Sequence, residues 1–99
     1  MIYTIEEIKN IYLNIFKKYH INNVWIFGSY AKDEATEISD IDFLYEESPE
    51  MKDNSFLAVE LYDDLVNATS KEISLIEQSD LERIGGILKK TVLNQRIKL

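Results

Sequence analysis

Val24-Trp25-Ile26-Phe27-Gly28-Ser29-Tyr30-Ala31-Lys32, and ten residues beyond Ser29 the run Ser39-Asp40-Ile41-Asp42-Phe43-Leu44-Tyr45, decide how this chain is read. Val24 to Phe27 is apolar, β-branched and aromatic, and has strand length. Gly28-Ser29 ends it with a residue that lets backbone come close to a ligand. A short helix over Tyr30-Ala31 is expected next. The amides of Gly28 and Ser29, the Ser29 hydroxyl and the start of that helix could then direct donors at one anion, a phosphate-binding arrangement. Ser39 to Tyr45 reads as a second strand. In it Asp40 and Asp42 stand two apart, so their carboxylates leave one face while Ile41 and Phe43 leave the other.

Two carboxylates on one patch raise each other's pKa unless a cation lies between them. Oxygen-only ligands suit Mg²⁺ (or Mn²⁺), which is usually held by one or two carboxylates together with substrate phosphates. Gly-Ser alone is a common turn, and Ser-Asp-x-Asp alone can be a solvated strand entrance or a helix cap. Their joint occurrence, each in its required context, carries the specific reading.

These residues resemble the minimal nucleotidyltransferase domains of the DNA polymerase beta superfamily, whose signature is Gly-Ser, a spacer, then Asp-x-Asp: here Gly28-Ser29, ten residues, Asp40-Ile41-Asp42. Ala31, Lys32 and Ser39 extend the match. The resemblance runs in element order from about Thr4 to Leu99, and Val24 to Tyr45 is its motif-specific part. It implies a small α/β fold with a mixed sheet flanked by helices, Asp40 and Asp42 as catalytic metal ligands, and Gly28 and Ser29 positioning a nucleoside triphosphate. The implied activity is Mg²⁺-dependent transfer of a nucleoside monophosphate, most simply AMP from ATP, to a hydroxyl. Lys32 is either near the triphosphate, as the resemblance implies, or a solvated lysine. Similar small domains occur as antitoxins paired with a helical ribonuclease toxin of the HEPN family, which some of them modify on tyrosine. The implied partners are therefore ATP and a small helical HEPN-type protein.

The sequence departs from the family in two places. Asp33 stands where Gly often follows the basic residue. On a third strand, Glu72-Ile73-Ser74-Leu75-Ile76-Glu77, the resemblance aligns a third acidic ligand with Ser74, and serine cannot replace a carboxylate at neutral pH without help. Glu72 leaves the same face one pleat away, roughly 6–7 Å along the strand, and is the candidate substitute. If nothing substitutes, the alternative is a catalytically weakened nucleotidyltransferase that acts as a protein-binding antitoxin or scaffold module.

The rest of the chain reads as packing around this core. Thr4-Ile5-Glu6-Glu7 is a capping box, followed by Ile5, Ile8, Tyr12, Ile15 and Tyr19 at helical spacing, with Ile11 and Phe16 widening the stripe. His20 falls where that helix should end, in a cap or surface role. A single histidine rules out a histidine-based metal cluster. Pro49 breaks the second strand. A helix is expected from about Asn54 to Ala68, with Leu57, Ala58, Leu61, Leu65 and Ala68 inward and Asp63-Asp64 on a solvated face. Ser79-Asp80-Leu81-Glu82 reads as a second capping box, opening a helix with Leu81, Ile84, Leu88 and Val92 inward. Gly85-Gly86 within it means either close packing or a break. Arg96 to Leu99 reads as a short edge strand.

Ninety-nine residues are expected to form one domain, 1–99, with little room for a substrate-binding lobe. There is no cysteine, so disulfides and cysteine-ligated zinc are excluded. No apolar run approaches transmembrane length and no secretory signal is visible, so a cytoplasmic protein without membrane association is the expectation. A net charge of −7 opposes the phosphate backbone of nucleic acid, so direct nucleic-acid binding is not expected. The same surface suits a basic protein partner, and Mg²⁺ would supply local positive charge for a nucleotide.

Overall fold

The computed structural model describes residues 1–99. Thr4 caps the first helix reciprocally. Its hydroxyl accepts the Glu7 N–H at 3.1 Å, and the Glu7 carboxylate accepts the Thr4 N–H at 2.9 Å, so α1 (Ile5–Lys18) begins with two of its free donors satisfied. Ile8, Tyr12 and Phe16, one turn apart, are fully buried. The chain leaves α1 through His20, whose N–H donates to the Lys17 carbonyl at 2.9 Å and whose positive φ of 61° turns the chain so that the Ile21 N–H reaches the Phe16 carbonyl at 3.2 Å. The His20 ring faces Glu50 on the surface, Nδ1 to Oε2 2.9 Å. It is a helix exit, as expected.

Four strands form one sheet in the order β3-β2-β1-β4. β1 (Val24–Phe27) and β2 (Ile41–Tyr45) are antiparallel, with Val24 opposite Tyr45 and Phe27 opposite Asp42. β3 (Ile73–Glu77) lies parallel to β2, with Ile41 beside Ile73 and Asp42 beside Ser74. The expected tail strand is β4 (Ile97–Lys98), antiparallel to β1. Arg96 and Lys98 both lie over the Trp25 ring, at 4.5 and 5.0 Å from its centre. Because two parallel strands cannot be joined by a hairpin, β2 and β3 are connected through α3 (Pro49–Asp53) and α4 (Phe56–Ala68).

Alternation along the strands sorts the core into two layers. Val24, Ile26, Ile41, Phe43, Tyr45 and Ile73 face α1 and α4 in the larger cluster. Phe43 sits edge-on to both Tyr12 and Phe16, each at 5.2 Å between ring centres. Phe27 and Leu44 face the other way and meet Leu81 and Val92 of the two last helices, α5 (Gln78–Ile84) and α6 (Gly86–Gln95).

Several expectations are corrected. Pro49 ends the strand, but it also opens α3 as its first helical residue, where its missing N–H costs nothing. Ala68 is exposed rather than inward. Asp63 is solvated, whereas Asp64 accepts hydrogen bonds from the Tyr19 hydroxyl and from Lys18 Nζ at 3.0 Å, tying the end of α1 to α4. Ser79 does not cap the next helix. β3 runs straight into α5, and the carboxylate of Glu77 is the cap, accepting the N–H of Ser79 at 2.8 Å and of Glu47 at 3.1 Å. Gly85 and Gly86 break the last helix. Gly85 adopts φ 60°, ψ −151°, a region open essentially to glycine alone. The break turns α6 relative to α5, so Leu81 and Val92 point inward while Ile84 and Leu88 are exposed.

Candidate active site

Gly28 sits at the C-terminal end of β1 with φ +72°, and α2 (Gly28–Ala31) is the single helical turn that follows. The Lys32 N–H donates to the Gly28 carbonyl at 3.1 Å and the Glu34 N–H to the Ser29 carbonyl at 2.9 Å, so the turn is closed by its own backbone. Asp33 then leaves it with φ +58°, a conformation that Asp tolerates better than most side chains. That accounts for an Asp where glycine is common. The Gly28 requirement is stricter. A Cβ added there would lie 2.1 Å from Asp42 Oδ2 and 3.0 Å from its Cγ.

Asp42 lies on a central strand, between Phe27 of β1 and Ser74 of β3 in register. Burial pushes its carboxyl above the usual range, and the charge of Asp40 adds to this, while the Ser74 hydroxyl pulls the other way. Asp40 precedes β2 instead of belonging to it, and is exposed. Its loop is held by the Thr36 N–H donating to Ser39 Oγ at 2.8 Å and the Ser39 N–H donating to the Thr36 carbonyl at 3.1 Å. From the other side Lys71, a buried lysine, donates from Nζ to the Glu37 carbonyl at 2.7 Å.

Glu72 also precedes its strand. Its carbonyl accepts the Ile41 N–H at 3.0 Å, which brings its backbone beside the Asp40–Ile41 link. Asp40 and Glu72 border one hollow of about 290 Å³, together with Ser39 and Lys71. Asp42 does not line that hollow, and no three carboxylate or imidazole groups converge as a metal-holding set. Lys32 is exposed and faces Glu34, Nζ to Oε2 3.6 Å. Gly28, Asp42 and Asp40 therefore form one group, with Ser74 against Asp42, while Glu72 is on the rim and Lys32 lies at the surface beside Glu34.

No lysine or arginine forms an ion pair with Asp40 or Asp42. Two neighbouring carboxylates, one half-buried and neither neutralised by the protein, fit a hard divalent cation with oxygen ligands. Sequence reasoning missed Lys71. At the head of an alternating strand a lysine gives no sign of being buried, because the carbonyl it satisfies lies on a different loop.

A mixed sheet that brings a glycine turn at the end of one strand against an aspartate on its neighbour, with helices on both faces, defines a nucleotidyltransferase-type α/β domain. Residues 6–99 match the family described as Polymerase beta, Nucleotidyltransferase, and the chain belongs to that family. It is 32% identical over 99 residues to "Putative protein adenylyltransferase MJ1379" of Methanocaldococcus jannaschii, covering 96% of this chain and 88% of that protein. A second relative from the same organism, "Putative protein adenylyltransferase MJ0435", is 34% identical over 95 residues, covering 94% and 95%. Among solved structures, a toxin-antitoxin crystallised with AMP-PNP superimposes with a TM-score of 0.70 at 20% identity, over 91% of this chain and 70% of that one. A mutant of the toxin-antitoxin MntA-HpeT superimposes with a TM-score of 0.66 at 21% identity, over 92% and 70%. At those identities the likeness concerns the fold.

Proposed function

We propose that residues 1–99 act as a single minimal nucleotidyltransferase domain that moves a nucleoside monophosphate, AMP from ATP, onto a hydroxyl of a small helical HEPN-type protein, as the antitoxin of a toxin–antitoxin pair. The observation that carries this is the contact between the Gly28 turn and Asp42, which puts a backbone cradle and an unneutralised carboxylate at one point. Asp40 and Asp42 would hold Mg²⁺ or Mn²⁺, which when bound supplies the positive charge that a triphosphate and its transition state require. Gly28 and Ser29 orient the triphosphate through their backbone. The acceptor oxygen forms a bond to the α-phosphorus, the bond from that phosphorus to the bridging oxygen breaks, and pyrophosphate leaves with the electron pair. The hydroxyl proton passes to Glu72 at the rim. The names of the Methanocaldococcus relatives support a protein acceptor, and the toxin–antitoxin structures support a paired partner.

A second reading is favoured by one observation, the pairing of Asp42 with Ser74 in place of a third acid. On that reading the domain binds its partner without modifying it. The two are separated by incubating the chain and its co-purified partner with α-labelled ATP and Mg²⁺. Label should enter the partner and disappear in Asp40→Asn with Asp42→Asn. Stable partner binding with no labelling overturns the enzymatic reading and leaves the binding one.

A further inference from the structure

The outer side of α4 carries an apolar stripe that the fold does not use. Phe56, Val59 and Tyr62, three residues apart, are 75, 59 and 44% exposed. Val66 continues the line and, with Tyr62, enters a hollow of about 540 Å³ whose far end is formed by Ser70, Lys71 and Glu72. Those same three residues border the hollow of Asp40. The stripe is thus continuous, over about 15 Å of helix, with the rim of the candidate active site. Three large exposed side chains in line on one helix form a contiguous apolar patch, the kind of surface that marks interaction sites, in contrast to scattered surface apolarity.

Charge selects the occupant. Asp63 and Glu60 lie on the exposed side of α4, Glu72 closes the far end, and the chain as a whole carries −7. Lys71, the cation at this end, is buried and engaged with the Glu37 carbonyl. A second exposed apolar group, Ile84, Ile87 and Leu88 at the α5–α6 break, is bordered by Arg83, Lys89 and Lys90, the first two paired with Asp80 and Glu82, so it offers a basic partner no acidic surplus.

We propose that the α4 stripe docks a basic amphipathic helix of the acceptor protein, apolar face on Phe56, Val59 and Tyr62, and that the chain emerging at its Glu72 end brings the hydroxyl to the Asp40 rim of the site. This rests on the nucleotidyl-transfer reading for its consequence, though not for the docking itself. The surface gives residues 1–99 a place to hold the acceptor. It also fixes a direction, since a segment seated on α4 reaches the site only from the Ala68 end.

The probe is a synthetic helical peptide of about 18 residues with leucines on one face, lysines beside them and a tyrosine in a short tail. Amide shifts of the isotopically labelled chain should change from Phe56 to Ile73. Affinity should fall as salt rises, and an acidic version of the peptide should not bind. Val59→Lys with Tyr62→Glu should weaken binding by at least about tenfold while leaving the melting temperature and its response to ATP with Mg²⁺ unchanged, because both positions are exposed. Ile87→Glu should have no effect. Shifts centred on Ile87, no shifts at all, or concentration-dependent shifts without peptide that mark a second copy as the occupant would each overturn the proposal. Addition of α-labelled ATP separates the two ideas. A peptide that binds at α4 and is never labelled, while the co-purified partner is, removes delivery of the tail to the site but keeps the docking surface, and an unbound peptide beside an intact nucleotide response removes the surface alone.

Discussion

Gly28 and Gly86 share a backbone problem and differ in their surroundings, and this allows the cradle to be tested apart from stability. Both have positive φ, 72° and 64°, so Ala at either position meets the left-handed penalty of about 1–2 kcal/mol. For a domain of this size that lowers the melting temperature by about 4–8 °C per kcal/mol. Around Gly86 nothing lies within 4 Å of an added Cβ, so Gly86→Ala should show the backbone penalty and nothing else. At Gly28 the added Cβ would stand 2.1 Å from Asp42 Oδ2. Asp42 has a short side chain, and its carboxylate can swing aside, so Gly28→Ala should fold with a similar loss of stability.

The functional cost should be very different. Bringing Oδ2 from 2.1 Å out to an ordinary contact of 3.4 Å moves it by about 1.3 Å, and a misplacement of even about 1 Å in a reacting arrangement costs on the order of 10²-fold in rate. The assay is paired: melting temperature with and without ATP and Mg²⁺, and transfer of α-label to the co-purified partner. In wild type a ligand at about one hundred times its dissociation constant stabilises by about 2.7 kcal/mol. Gly86→Ala should keep that increment and the transfer rate. Gly28→Ala should lose most of both. Equal behaviour of the two variants would falsify the claim that the Gly28 turn and Asp42 work as one unit.

Asp42→Asn should raise the melting temperature of the metal-free protein at pH 7 while abolishing the metal-dependent increment. Its carboxyl is held above the usual range, so its ionisation opposes folding as pH rises past its ordinary value of 3.8, and the two proteins should converge in stability below that pH; a less stable Asp42→Asn at pH 7 counts against this. Ser74→Asp should lower metal-free stability, by placing like charges side by side on β2 and β3, and increase stabilisation by Mg²⁺ or Mn²⁺. Glu72→Gln should cut transfer without lowering the melting temperature, and unchanged transfer would remove Glu72 from the reaction. Glu77→Ala should cost about 1 kcal/mol through loss of the α5 cap. Burial raises the Glu77 carboxyl, but hydrogen bonds from Ser79 and the neighbouring amides outweigh it and bring it below the usual range. That stabilisation is complete above the ordinary Glu value and lost as pH falls through the lowered one, so the gap between Glu77→Ala and wild type should close in acid.

What was legible in the sequence is what short-range periodicity encodes. The α1 stripe, the β1 and β2 strands with Ile41 and Phe43 on the core face, the alternation of β3 and the tail strand all appear in the structure, because each follows from side-chain direction within one element. The α5 cap was misread because Ser79-x-x-Glu82 has the local pattern of a capping box, while the group that wins is Glu77, already placed there by the strand. Continuing one helical phase through Gly85 places Leu81, Ile84, Leu88 and Val92 inward, whereas a pair of glycines with positive φ breaks the helix and leaves Leu81 and Val92 inward with Ile84 and Leu88 exposed on either side of it. The inward line Leu57, Ala58, Leu61 and Leu65 is legible, but the sequence gives no sign that the apolar line Phe56, Val59, Tyr62 beside it forms a second, exposed face. At the site, the spacing of Asp40 and Asp42 was visible, but the asymmetry between them was not. One is inside the sheet and half-buried, the other on a loop fixed by Lys71 from a distant part of the chain.

That asymmetry bears on why Ser74 occupies its position. Asp42 already carries a charge that burial and Asp40 oppose, and β3 supplies its nearest neighbour in the sheet. A third carboxylate there would add like-charge repulsion at a central strand that no lysine or arginine of the chain offsets, so the fold would depend more strongly on bound cation. A serine hydroxyl instead lowers the Asp42 carboxyl toward its ordinary range, favouring the ionised form while removing one charge from the set. The consequence is a sheet that keeps its two aspartates with less repulsion in the absence of metal. The helix that carries the exposed stripe is held independently of this site, because α4 packs through Leu61 and Leu65 on the sheet face opposite to Asp42. On the proposed reading, partner capture and nucleotide chemistry would draw on different layers of the same four strands.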